Sequence, residues 1–422
     1  MTVPRTARRI TIHSCAGAAA RLRACSIHLL SATISHRFHM TTRLHALHVS
    51  GQSLWLDYID RAMLGNGDLA RRIRDDALTG MTSNPTIFEK ALAEGTSYDA
   101  QLRTLPASAT DREAFELVAT TDVRDACDAF RAVYDATQGV DGYVSLEVSP
   151  DLARDSAGTV AEAHKLWQKV DRPNLMIKVP GTPEGATAVR QLIADGININ
   201  VTLLFAIDAH ALVIEAYLAG LEQRASAGMP IDRIASVASF FVSRVDSAID
   251  KQLETMAIAN EARADTLRAL QGKAAIANAK LAYQLFTQLF RGPRWNALAS
   301  RGARVQRPLW ASTSTKNPAF RDVIYVEELV GPNTVNTLPP ATLEAFRDHG
   351  EVRPTVAAGV GDAEQALRAL EAAGISLHAV TERLLREGLA SFEQSFVTLL
   401  AGLARKRAAL VAATGAPVAV AR

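Results

Sequence analysis

Eight short apolar runs, spaced along the chain and separated by amphipathic stretches, constrain the fold most. They are SLWLDYI (53–59), LTGMTS (78–83), YVSLEVS (143–149), NLMIKVP (174–180), ININVTLL (197–204), ASVASFFVS (235–243), RPLWASTS (307–314) and NTVNTLP (333–339). Each is strand length, and most are apolar on both faces, as in parallel sheets covered by helices. The stretch GATAVRQLIADG (185–196) has helical periodicity, with Thr182 as N-cap and Pro183 at the first helical position. Eight alternating strand–helix units predict an α/β fold, a closed (β/α)8 TIM barrel whose active site lies at the C-terminal strand ends. Longer helical patterns near 86–135 and 246–291 read as insertions, and one near 362–411 as a helical tail. The barrel is read as one domain over 40–411.

Residues 1–39 stand apart. They hold six arginines, two of the three cysteines and no Asp or Glu. Such a leader fits an over-extended start, with Met40 opening the chain proper, an organelle transit peptide, or some binding role. It is expected to be disordered, as is the Gly/Pro/Ala-rich end at 412–422. A formal net charge of +2 gives no basic excess that would call for a nucleic-acid partner. Cys15, Cys25 and Cys127 cannot frame a disulfide scaffold or a zinc site, which favours a reducing, cytoplasmic setting. No apolar run reaches membrane-spanning length, so no membrane partner is expected. The oligomeric state is left open.

Chemistry-bearing residues recur near the predicted C-terminal strand ends. Lys178 closes the apolar run LMIK. There it could be a desolvated nucleophile forming a Schiff base, a lysine snorkelling to the rim, or the partner of Glu147. Glu147, in SLEVSPD, could act as general acid/base or only balance that charge. Asp57, in LWLDYID, could accept a proton from a substrate hydroxyl or cap a helix. Asn84, in MTSNPTIF, sits in an ordinary Ser-Asn-Pro turn signal. Asn200 and Thr202 alternate and so share a strand face. Ser239, Arg244, Ser314 and Lys316 offer the hydroxyls and cations that a phosphate needs. There is no Walker or dinucleotide-binding loop. His164 and His210 lack ligand spacing, so no catalytic metal is expected.

Taken together, LWLDYIDR, GMTSNPTIFEKA, VSLEVSPDLARD, NLMIKVPGTPEG, GININVTLLF, ASFFVSRVD and TVNTLPP resemble the motifs of transaldolases, in that family's order, over about residues 45–410. The likeness is nearest to the longer bacterial branch of this class I aldolase superfamily. It implies a Schiff base on Lys178, with Glu147 as acid/base through a water held with Thr202. It further implies that Asp57 acts at the C4 hydroxyl and that Asn84 and Asn200 hold a dihydroxyacetone unit. Ser239 and Phe241 would stand near that unit, and Arg244, Ser314 and Lys316 would grip a sugar phosphate. At the last position the family carries arginine, so Lys316 keeps the charge without the fork. The implied reaction moves dihydroxyacetone from sedoheptulose 7-phosphate to glyceraldehyde 3-phosphate, in the non-oxidative pentose phosphate pathway. Related fructose 6-phosphate aldolases carry Gln and Tyr where this chain has Glu147 and Phe241, which favours transfer over simple cleavage. A silent sugar-phosphate-binding barrel is the remaining alternative.

Overall fold

The computed structural model describes residues 42–93 and 95–413. The leader at 1–39 and the residues from 414 onward lie outside them. Eight strands form: β1 Gln52–Asp57, β2 Leu78–Thr82, β3 Tyr143–Glu147, β4 Leu175–Pro180, β5 Ile199–Leu204, β6 Ser236–Phe241, β7 Gln306–Ala311 and β8 Thr334–Leu338. They pair in chain order, all parallel, and β8 closes on β1. Every predicted run overlaps one of these strands, and β1 and β7 begin one residue earlier than predicted. Several predicted runs overshoot the strand ends, and in two of them local chemistry ends the ladder. The first stops at Asp57, since Asp60 accepts from Met63 N and starts the helix Arg61–Gly65. The seventh stops at Ala311, where Ser312 takes a left-handed φ of 55°.

Alternation divides β4 between two environments. Leu175, Ile177 and Val179 face the outer helices, while Met176, Lys178 and Pro180 face the barrel interior. All six are buried. The following helix, Pro183–Asp195, begins as its sequence dictates, with Thr182 Oγ1 accepting from Gly185 N at 2.9 Å. Near the lower half of the barrel, β2 must pass close to Trp55. A Cβ on Gly80 would lie 2.5 Å from the indole, so only glycine fits.

The insertion between β2 and β3 supplies the helix Asp111–Ala129, opened by a Thr110–Glu113 capping box. In the second insertion, the helix Ala274–Leu289 packs on Ile207–Ser226 and on Val360–Ala373. The last helix, Leu377–Ala413, runs two residues into the predicted tail. It lies against Pro85–Ala93 and Asp111–Ala129, where Phe88, Phe115 and Phe396 form a run of edge-on rings. That contact carries the helix past the C-terminal mouth of the barrel. Among the described residues, no helix is long and apolar enough to cross a membrane.

Candidate active site

Register brings the site together. Glu147 on β3 and Lys178 on β4 are Cα partners, and Lys178 in turn pairs with Asn200 on β5. Parallel partners point the same way, so the three side chains enter the interior side by side. Lys178 Nζ lies 3.4 Å from Glu147 Oε2 and donates to Ser83 O at 3.2 Å. Lysine and glutamate side chains are 6% and 5% exposed, which places the pair out of bulk water. Burial pushes the Glu147 carboxyl above the usual range, and the Lys178 charge partly offsets this.

Across the mouth, Asp57 ends β1 opposite Thr82. Thr82 Oγ1 lies 2.8 Å from Asp57 Oδ1 and 2.7 Å from Thr337 Oγ1. Burial also raises the Asp57 carboxyl, against the lowering pull of Lys178, Thr82 and Arg244. Asp57 and Glu147 therefore both hold protons more readily than exposed carboxylates, as groups that pass protons to and from a substrate should.

A cavity of about 250 Å3 opens above these groups. Asp57, Lys178, Thr202, Asn84, Ser239, Phe241, Arg244, Ser314 and Lys316 all line it. Two expected residues do not. Asn200 lies one step back, fully buried, donating to Ser145 Oγ at 3.0 Å and accepting from Ser239 Oγ at 2.7 Å. Glu147 reaches the site through Lys178 and borders two smaller adjoining hollows. Glu147 Oε2 and Thr202 Oγ1 are buried without a hydrogen-bond partner. Such atoms are costly to leave unpaired unless substrate or solvent meets them.

Asn84 serves two ends. Its Oδ1 accepts from Ile87 N at 3.0 Å and starts the helix Pro85–Ala93, which leaves its amide nitrogen for the cavity. At the outer rim, Lys316 Nζ donates to Ser314 Oγ at 2.7 Å. The Arg244 guanidinium stands 5.1 Å from the Phe241 ring centre, and burial lowers its pKa from the usual value.

Sequence reasoning missed several cavity residues. Thr82 and Thr337 flank or lie within quoted motifs, and their alternation with buried neighbours was the available signal. Lys90 lies in the helix that Asn84 starts, six residues on. Phe392 had no local signal. It comes from the last helix, and its ring centre lies 5.9 Å from Lys178 Nζ.

A buried lysine beside a carboxyl at the C-terminal strand ends of a parallel barrel suits carbonyl chemistry through an imine. Comparison with known proteins agrees with that arrangement. The family profile described as Transaldolase/Fructose-6-phosphate aldolase matches residues 54–403. The chain belongs to this family. Curated members of the transaldolase/fructose-6-phosphate aldolase family align almost end to end with it. A transaldolase of Frankia alni is 48% identical over 87% of this chain and 98% of its own length. That of Thermobifida fusca is 50% identical over 88% and 100%. That of Acidothermus cellulolyticus is 50% identical over 87% and 97%.

Proposed function

We propose that this chain is a transaldolase that moves a dihydroxyacetone unit from sedoheptulose 7-phosphate to glyceraldehyde 3-phosphate. The observation that carries the reading is the approach of Lys178 to Glu147, 3.4 Å apart in a buried pair below a polar cavity. Lys178 Nζ, once it has shed a proton, attacks the ketose C2 carbonyl and gives a carbinolamine. Glu147 protonates the departing hydroxyl through a water shared with Thr202, and loss of water leaves the iminium. Asp57 takes the proton of the C4 hydroxyl. The C3–C4 bond then breaks, its electron pair flows into the iminium, and erythrose 4-phosphate departs. The enamine left on Lys178 attacks the aldehyde of glyceraldehyde 3-phosphate. Asp57 returns its proton, and hydrolysis releases fructose 6-phosphate.

In this scheme Asn84 holds the dihydroxyacetone hydroxyls. Asn200 works through Ser239, to which it is hydrogen-bonded. Phe241 bounds the unit, and Arg244, Ser314 and Lys316 take the phosphate by charge-assisted bonds. The iminium itself draws off the electrons, so the scheme uses no added cofactor. The substrates are dianionic sugars that do not cross membranes unaided, which fits a cytoplasmic setting in the non-oxidative pentose phosphate pathway.

The test is mass spectrometry after incubation with fructose 6-phosphate and sodium borohydride. A reduced three-carbon adduct on Lys178, absent in Lys178→Ala, is expected. A folded, substrate-binding protein without that adduct would leave a silent binding barrel. Faster turnover on adding erythrose 4-phosphate separates transfer from the simple cleavage of a fructose 6-phosphate aldolase. The identities of Glu147 and Phe241 favour transfer.

A further inference from the structure

At the opposite, N-terminal end of the barrel lies a second cavity, of about 210 Å3. It is lined by Tyr143, Met176, Ser236, Arg304, Arg307 and Asn333, among others. None of these residues takes part in the scheme above. Arg307, the second residue of β7, is only 9% exposed. Its Nη1 donates to Ser53 Oγ at 2.7 Å, and its Nη2 lies 3.6 Å from Asp141 Oδ1 without a hydrogen bond. Asp141 is already well supplied. Trp55 Nε1 donates to it at 2.8 Å, Gly142 N at 3.2 Å, and the Ser53 hydroxyl donates to its second oxygen. Arg304 donates through Nη2 to Gln138 O at 2.6 Å. Its Nη1 is buried without a hydrogen-bond partner, and no carboxylate among the described residues lies within ion-pair distance of its guanidinium.

Two guanidinium groups therefore line one cavity, and the carboxylate of Asp141 stands near only one of them, Arg307. Each has a nitrogen with unused donor capacity. Ser236 Oγ accepts from Gln306 Nε2 at 2.9 Å, which leaves its own proton to donate. Planar, permanently charged donors beside a hydroxyl are the usual means of holding a phosphate. The volume is below that of drug-sized pockets and suits a phosphate with a short carbon chain. The geometry points to a second anion site at the base of the barrel, held by Arg304, Arg307 and Ser236, that takes inorganic phosphate or the phosphate of a small sugar phosphate.

Thermal unfolding of the full chain against inorganic phosphate, at matched ionic strength, tests this. The measurement is made on the wild type, Arg304→Met, Arg304→Lys and Lys316→Met. Ligand that binds only the folded state raises the midpoint in proportion to its occupancy. Arg304→Met is expected to lose roughly half of the phosphate-induced rise, to keep wild-type turnover without phosphate, and to be partly rescued in Arg304→Lys. Lys316→Met weakens the catalytic-end share, so a fourth variant, Arg304→Met combined with Lys316→Met, should respond to phosphate less than either single variant. Crystals soaked in arsenate locate the anion by its anomalous scattering, and erythrose 4-phosphate in a second soak separates free phosphate from sugar phosphate as the occupant. A full phosphate response in Arg304→Met would overturn the site. So would arsenate density confined to the catalytic cavity. Loss of stability in Arg304→Met with an unchanged phosphate response would assign the arginine to structure alone.

Discussion

Glu147 and Lys178 are register partners on adjacent parallel strands, and their side chains meet at 3.4 Å with almost no exposure. The pair is thus fixed by backbone hydrogen bonding rather than by flexible loops. Replacing Glu147 with Gln keeps size and polarity but removes the proton. General acid/base contributions of this kind are worth about 10² to 10⁴ in rate. Glu147→Gln should lose kcat within that range and trap its borohydride adduct correspondingly slowly, as rapid-quench mass spectrometry would record. An unchanged trapping rate would remove Glu147 from imine formation.

Asp57 stands across the cavity, held by Thr82 at 2.8 Å. If it acts at the C4 hydroxyl, it is needed for bond cleavage and not for imine formation. Asp57→Asn should therefore still be trapped by borohydride, but as the intact six-carbon phosphate adduct of fructose 6-phosphate. The wild type should give the three-carbon adduct. A three-carbon adduct at wild-type rate in Asp57→Asn would assign the cleavage base elsewhere.

Lys316 is an exposed cation at the rim, beside Ser314. Its grip on phosphate is that of a point charge, reached by solvent and screened by salt. Lys316→Met should raise KM for phosphorylated donors about tenfold with little change in kcat, while Lys316→Arg should hold or lower KM. Steady-state kinetics at low and high ionic strength check this. A pure kcat effect would place Lys316 elsewhere in the mechanism.

His210 concerns stability. It is fully buried against Phe240, and neither ring nitrogen has a hydrogen-bond partner. Burial holds its pKa down at about 4. The unfolded chain takes up a proton near pH 6.5, while the folded chain resists until about 4. Stability from this group is present above pH 6.5 and is lost as pH falls from 6.5 towards 4, by about 3 kcal/mol in all. His210→Leu should flatten the stability curve across that window in denaturant titrations, with activity at neutral pH retained. An equal slope in both proteins would show that the acid sensitivity lies in other groups.

Much of this architecture was legible because strands and candidate site groups share one code. In LMIKVP, the residue that breaks an apolar run is the one that faces the cavity, and Glu147 in YVSLE is the register partner beside it. Residues doing two jobs were harder to read. Asn84 both starts a helix and lines the cavity, so a turn reading and a binding reading were each half of the structure. Asn200 was expected at the substrate, but its amide is occupied by Ser145 and Ser239. Alternation gives the face of a strand and not what its neighbours already hold. The cavity at the base of the barrel was not read at all. Arg304 and Arg307 precede or open β7, and their convergence with Ser236 arises only when the sheet closes. Phe392 is more distant still, joined to Lys178 by a helix that packs through Phe396 on Phe115.

That last helix has a consequence for how the enzyme comes into being. All eight strands precede Leu377 in the chain, so a ribosome releases a closable barrel before it has made Phe392. Chains fold from the N-terminal side during synthesis, and Lys178 can be in place while one wall of its cavity is still inside the exit tunnel. Activity on a nascent chain should lag behind barrel formation until this helix emerges, which makes its docking the final act of maturation.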